Sequence, residues 1–422
     1  MTSKQYASLE QYARRRHVLS GTSVVRDHYP YLEPMEQLGV TIPGNPQAAC
    51  VSFAHYDYLA LASDVRVKQA AKQAIDAVGV GSGASRLVGG ERAAHRQLEA
   101  EFARFIGVDD TLALVSGYGT NVTLVSHLLT KDDLIIVDET SHNSIMVGTQ
   151  LSRAETLTFR HNDLDHLAAL LRTHRALYSR VLVVVEGLYS MDGDLPDLPA
   201  LIPLCRDHGA WLMVDEAHSI GVLGKTGRGI TEYFGIPPSE IDLIVGTLSK
   251  AFVTCGGFIG GRAGIVEWLR CTLPGFVYSV GLPPPSAAGA QCALGILQAE
   301  PQRLARLHDN SRYFLNGARR RGLNVGSAIG AAVIPIMFPQ TPVTIAAANA
   351  ALQAGYFVPP IVQIAVPKEL PRLRFFLTAG HSHDQIDGVL DALEPFVAET
   401  PTALADARPP AATSRRIKTA RD

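Results

Sequence analysis

The chain has 422 residues, 47% apolar and 18% charged, with a formal net charge of −2. That is enough apolar material for a large domain plus a small one, and the lack of a concentrated basic stripe argues against nucleic acid as the main partner. Five scattered cysteines without a C-x-x-C pair suggest neither a disulfide framework nor a zinc site, and a reducing, cytoplasmic setting is expected.

In chain order, residues 4–20 have helical spacing. A Pro/Gly-marked stretch then leads to a short strand at Val51-Ser52-Phe53. Ser63 is the expected N-cap of a helix whose inner side carries Val65, Val67, Ala70, Ala71, Ala74, Ile75 and Val78. Gly79 stops it and opens a glycine-rich loop over 79–86, and a second amphipathic helix carries His95, Leu98, Phe102 and Phe105. Apolar runs at 112–115, 134–137, 181–185, 211–214, 241–246 and 258–259 follow, most of them separated by helical stretches or loops. Their continuous apolar character predicts strands buried on both faces, hence a mostly parallel sheet covered by helices. No run is long enough for an integral membrane segment, and the polar N-terminus lacks a signal-peptide core. Past residue 300 the pattern becomes helix 301–321, strand 333–336, helix 343–354, strand 373–377 and helix 384–396. The expected division is an N-terminal arm with a short strand (1–55), a large domain (56–300), a small α+β domain (301–400) and a disordered tail (401–422).

Chemically useful residues stand just past the apolar runs, at the carboxyl ends of strands, where open α/β sheets bind ligands. One run ends in Asp215-Glu216-Ala217-His218 and another in Thr247-Leu248-Ser249-Lys250. A carboxylate ending a buried strand is expensive to leave unpaired. A protonated pyridine nitrogen is one suitable partner; a helix cap or a salt bridge is the ordinary one. A lysine behind hydroxyls and small residues suits a Schiff base to pyridoxal phosphate (PLP). Gly117 and Tyr118 can offer backbone N–H groups to a phosphate at a helix N-terminus. Glu186 opens an acid- and glycine-rich segment running to Asp194. His142 can stack on a pyridine ring and His218 can reach a phenolic oxygen, although each is also readable as a packed histidine.

In order and separation these motifs resemble the α-oxoamine synthase family of fold-type I PLP enzymes, over about residues 50–395. The likeness rests on GSGASRLVGG (81–90) with His95, SGYGTN (116–121), SHNS (141–144), EGLYSMDGD (186–194), VDEAHSIGVLG (214–224), GRG (227–229), TLSK (247–250), VYSVGLPP (277–284) and RLRFFLTAGH (372–381). It implies an α/β fold, with a mostly parallel central sheet in the large domain, in a homodimer with shared active sites. It makes Lys250 the Schiff-base lysine and Asp215 the partner of the ring nitrogen. His218 and Ser190 fall near the phenolic oxygen, His142 over the ring, and Glu186 within the cofactor-binding set. Gly117, Tyr118 and Thr247 hold the phosphate, with Ser279 from a second subunit, and Arg374 binds the amino-acid carboxylate. No metal is implied.

Three positions depart from the family pattern. Tyr56 stands where members carry a substrate-touching asparagine, Val362 where some carry arginine, and Tyr278-Ser279-Val280-Gly281 where YSTS-like segments occur. The YDYLAL and LVGGER wording is most similar to synthases of polyketide or lipid assembly, which brings in an acyl carrier protein as a donor alternative to coenzyme A. The reaction implied is decarboxylative condensation of an amino acid with an acyl thioester. Aminotransfer or aldol cleavage on the same fold is the alternative; a non-catalytic subunit is expected to lack the lysine that Lys250 provides.

Overall fold

The structure, a computed structural model, describes residues 8–13, 33–34, 38–42, 45–362 and 370–399. The tail expected over 401–422 lies outside the described residues, and the helix expected over 4–20 is described only as a helical turn at 9–13.

Seven strands form the central sheet: β1 (Asp110–Leu114), β2 (Leu134–Asp138), β3 (Glu155–Phe159), β4 (Val181–Glu186), β5 (Trp211–Asp215), β6 (Leu243–Thr247) and β7 (Gly257–Gly261). Their spatial order is β1-β7-β6-β5-β4-β2-β3. All neighbours are parallel except β7, which runs antiparallel to both β1 and β6. Alternation along every strand except edge strand β3 feeds two cores. Ile136, Val183, Val214 and Ile244 belong to one, with Leu98 and Phe102 of a helix, α1, at Ala93–Ile106. Ile135, Val184, Met213 and Val245 belong to the other, with Leu124 and Val125 of α2 (Gly117–Leu128) and Ile145 of α3 (Asn143–Leu151). Both faces are therefore dry, which is why these strands read as unbroken apolar runs.

Past residue 300 the chain adds α4 (Pro301–Arg320), β8 (Val333–Met337), α5 (Thr341–Gln353), β9 (Pro360–Ile361), β10 (Arg372–Phe376) and α6 (His383–Leu393). The three strands form an antiparallel sheet ordered β8-β10-β9. Near the start of the chain, strand Asn45–Ser52 pairs antiparallel with Gly39–Ile42 on one edge and in parallel with Tyr356–Phe357 on the other, so this early segment is sewn to the later unit.

Three local expectations are corrected. The helix at Val65–Val78 is capped by Asp64, whose carboxylate accepts from Arg66 N at 3.0 Å, rather than by Ser63. Of its supposed inner residues only Val67 is buried, and Val65, Ile75 and Val78 are exposed. Strand β3 was not expected: Glu155-Thr156-Leu157-Thr158-Phe159 lies at the sheet edge and is largely polar, so no apolar run announces it.

Candidate active site

A cavity of about 290 Å3 opens at the carboxyl ends of the parallel strands. Eleven of the twelve expected site residues line it: Tyr56, Gly117, Tyr118, His142, Glu186, Ser190, Asp215, His218, Thr247, Lys250 and Arg374. Ser279 does not. It sits between exposed Tyr278 and Val280, away from its own chain's cavity.

The strands deliver the charges. Asp215 ends β5 and Glu186 ends β4, and the two are register partners, which brings two buried carboxylates side by side. Burial and the neighbouring Asp215 push Glu186 up to about 8. Glu186 accepts the backbone N–H of His142 at 2.6 Å and that of Ser190 at 3.3 Å, so it shapes the two segments carrying those residues. Lys250 lies in the tight connection between β6 and antiparallel β7, closed by Leu248 N to Gly256 O at 3.0 Å and Thr254 N to Leu248 O at 2.9 Å. Burial lowers its ammonium to about 8, despite the attraction of Asp215 and Glu186.

Neutral donors hold the Asp215 carboxylate: Ala217 N at 2.9 Å on one oxygen and Asn121 Nδ2 at 2.7 Å on the other. The Asn121 amide also reaches Ser144 Oγ at 3.0 Å, and Ser144 Oγ lies 2.7 Å from His142 Nδ1. Asp215, Asn121, Ser144 and His142 thus form one hydrogen-bonded chain. Because the Ser144 backbone N–H also donates to His142 Nδ1 at 3.2 Å, a neutral His142 carries its proton on Nε2. Burial lowers its pKa, so the neutral form prevails at pH 7. His218 follows the same logic. Its Nδ1 lies 2.6 Å from the hydroxyl of fully buried Tyr58, and burial drives its pKa well down. Burial also drives the Tyr58 hydroxyl well up, so it donates to Nδ1 and leaves the His218 proton on Nε2.

At one side of the cavity, Ser116 caps α2 by accepting from Gly119 N at 3.1 Å, leaving the N–H groups of Gly117 and Tyr118 at the helix start free of that cap. A Cβ at Gly117 would fall 2.5 Å from Thr247 Oγ1, so only glycine lets α2 approach β6 this closely. Thr247 and Ser249 share a hydroxyl contact at 2.8 Å beside it. The Arg374 guanidinium donates to Ser190 O at 3.0 Å and lies 4.7 Å from the Phe376 ring centroid, and its buried Nε lacks a partner. Tyr56 stands edge-on to Phe376 at 4.6 Å, with its ring centroid 6.0 Å from Lys250 Nζ.

These groups fit PLP. The buried carboxylate is held by uncharged donors and so can accept a cationic ring nitrogen. The helix start and hydroxyls suit a phosphate, and the amine of depressed pKa suits an aldehyde. Sequence reasoning did not single out Asn121 and Ser144, which act through Asp215 and His142. The signal was the position of Asn121 four residues into the helix after Gly117.

The model of the aminotransferase class I and II family matches residues 48–393. The chain belongs to this family. It is 40% identical over 378 residues to an 8-amino-7-oxononanoate synthase of Methylococcus capsulatus, spanning 87% of this chain and 94% of that protein. A serine palmitoyltransferase of Sphingomonas wittichii superposes with a TM-score of 0.86 at 31% identity, covering 94% of this chain and all of that one. A serine palmitoyltransferase from S. paucimobilis, solved with a PLP adduct, superposes at 0.83 with 29% identity, covering 92% and 96%. The likeness to the α-oxoamine synthases, read from the motifs, is borne out.

Proposed function

We propose that this protein is a PLP-dependent acyltransferase that joins an α-amino acid to an acyl thioester, releasing CO2 and free thiol and leaving an α-amino ketone. The observation that carries the reading is the meeting of Lys250, Asp215 and Arg374 around one cavity with a free helix start at its side. Bound there, PLP supplies an aldehyde for amines and a cationic ring that draws negative charge from the substrate's α-carbon.

The chain's own groups do the rest. Asp215 keeps the ring nitrogen protonated by charge attraction in a dry site. Gly117, Tyr118 and Thr247 would hold the phosphate, and the protonated Nε2 of His218, together with Ser190, would serve the phenolic oxygen. Lys250, with its pKa near 8, has an appreciable uncharged fraction near neutrality, so it would supply the amine that an aldehyde takes and a base able to accept and return a substrate proton. Arg374 offers its unpartnered Nε and remaining guanidinium edge to the amino-acid carboxylate. His142, neutral and protonated on Nε2, is a donor for the thioester carbonyl as negative charge develops on its oxygen.

The working form is a homodimer. Exposed Val80, Leu87 and Val88 of the glycine-rich segment adjoin exposed Tyr278 and Val280, because Ser85 Oγ bonds Val277 O at 2.7 Å and Gly281 N bonds Ala84 O at 3.0 Å. Burying this apolar face against a second copy delivers Ser279 to the neighbouring phosphate site. The donor is coenzyme A or an acyl carrier protein, and the setting is the cytoplasm, in keeping with five free cysteines. Among the described residues no helix is long and apolar enough to cross a membrane.

The test incubates holoenzyme with panels of amino acids and acyl thioesters while thiol, CO2 and product mass are followed. Equal thiol and CO2 with an α-amino ketone are expected, and Lys250→Ala abolishes them together with the cofactor's visible band. Amino-group transfer to the cofactor without thiol release would overturn the condensation.

A further inference from the structure

His161 lies outside the cavity lining, between two buried carboxylates. Its Nδ1 is 3.0 Å from Asp138 Oδ1 and its Nε2 is 3.1 Å from Asp194 Oδ2. A neutral imidazole has one N–H and cannot donate to both. Thr140 Oγ1 also lies 2.8 Å from Nδ1, but that hydroxyl is 2.7 Å from Asp138 Oδ1 as well, and with its proton given there the imidazolium is the form that donates to both carboxylates. Burial disfavours the charge, but hydrogen bonds and attraction from Asp138 and Asp194 prevail and hold the pKa at about 10. Tyr189 closes the pocket edge-on at 4.5 Å, and Glu139 accepts the His161 backbone N–H at 3.1 Å.

Each carboxylate commands a different segment of the site. Asp138 ends β2 and folds the turn leading to His142, accepting Thr140 N at 2.9 Å and Thr140 Oγ1 at 2.7 Å, while its carbonyl takes Ser141 N at 3.0 Å. Asp194 closes the segment that carries Ser190: its carbonyl accepts Tyr189 N at 3.0 Å, and its carboxylate accepts Ser327 Oγ at 2.9 Å. That segment is wedged against β8, since Gly193 has φ +69° and a Cβ there would sit 2.2 Å from Val333 O. Its carbonyls at Ser190 and Met191 are gripped by Arg374 and Arg372 respectively.

We infer that His161 is a positioning residue for the proposed reaction, a cationic clamp that fixes the His142 turn relative to the Ser190 segment and the Arg374 it orients. The clamp touches neither substrate nor cofactor. It sets the spacing between the donor for the thioester carbonyl and the grip on the amino-acid carboxylate, and through Ser327 it ties that spacing to the unit after residue 300. The inference rests on the condensation reading for its kinetic consequence, but not for the protonation state of the imidazole.

Two measurements on the holoenzyme test it. With 15N-labelled histidine, the His161 ring nitrogens are expected to remain doubly protonated from pH 6 to 8.5. A neutral ring at pH 7.5 overturns the clamp whether or not the protein condenses anything. In His161→Gln, whose amide cannot donate in two opposite directions, the amino-acid KM is expected to rise on the order of tenfold or more, because sub-ångström displacement of binding groups is felt strongly. The cofactor's visible band should persist, as neither Asp215 nor Lys250 is touched, and any loss of cofactor affinity through His142 and Ser190 should be several-fold smaller than the rise in KM. A folded variant with amino-acid KM within twofold of the parent, or with cofactor affinity lost in step with KM, overturns the positioning role. If His161→Gln does not fold, Asp194→Asn serves in its place: it should lower the His161 pKa in the same spectra and raise the amino-acid KM, and an unchanged KM again overturns the role.

Discussion

At the scale of single residues, the site is governed by buried charges that disturb one another. Glu186 and Asp215 sit side by side at the ends of β4 and β5, and the Lys250 ammonium is disfavoured by burial more than those carboxylates favour it. Reductive methylation of the protein freed of cofactor should therefore modify Lys250 with a pH midpoint near 8, below that of ordinary lysines. The linkage to stability has opposite signs for two groups. His161 holds its proton more tightly folded than unfolded, so its contribution is fully present below its ordinary 6.5 and is lost as pH rises through about 10. Lys250 holds its proton less tightly, so its burial costs stability below about 8 and that cost fades toward 10.5. Urea unfolding of Lys250→Met and His161→Gln across pH 6 to 10 should show the parent's pH dependence changing in these opposite directions. Arg374→Lys keeps a positive charge but loses the planar fork; the amino-acid KM is expected to rise at least about tenfold with cofactor affinity intact, as read by absorbance titration.

At the scale of elements, the close approach of α2 to β6 depends on Gly117. Gly117→Ala forces Thr247 or the helix start to move and should weaken PLP binding on the order of tenfold, at a stability loss of about 1–3 kcal/mol typical of overpacking; fluorescence titration and urea unfolding measure the two. Most such elements were legible in the sequence for a physical reason. Strands buried on both faces must be apolar throughout, and ligand chemistry must follow them at their carboxyl ends, so Asp215 and Lys250 announced themselves. Edge strand β3 faces fewer neighbours and tolerates Glu155, Thr156 and Thr158, which hid it. The helix at Val65–Val78 misled in the other direction: Val65, Ile75 and Val78 were read as facing the core of their own chain, but they are exposed. Asn121, Ser144 and His161 stayed hidden because each works through another side chain, and only the place of Asn121 four residues after Gly117 marked such an intermediary.

At the scale of the whole molecule, the exposed aliphatic residues from Val65 to Val88, with Tyr278 and Val280, account for a surface that a lone copy would leave in water. If the proposed homodimer forms through this face, replacing both Val80 and Val88 by Glu should yield monomers in sedimentation velocity, with PLP affinity falling because Ser279 would be kept from the neighbouring site; a dimer of undiminished affinity would sink the shared-site assembly. The pairing of the strand at Asn45–Ser52 with Tyr356–Phe357 bears on synthesis as much as on shape. That strand leaves the ribosome early and pairs at once with the neighbouring Gly39–Ile42, but its other edge meets Tyr356–Phe357 only after about 300 further residues have been made, a contact of high sequence separation and therefore slow to form. During that interval one edge of the strand is open to wrong partners, so the nascent chain has a built-in reason to need chaperone cover until its final fifth has emerged.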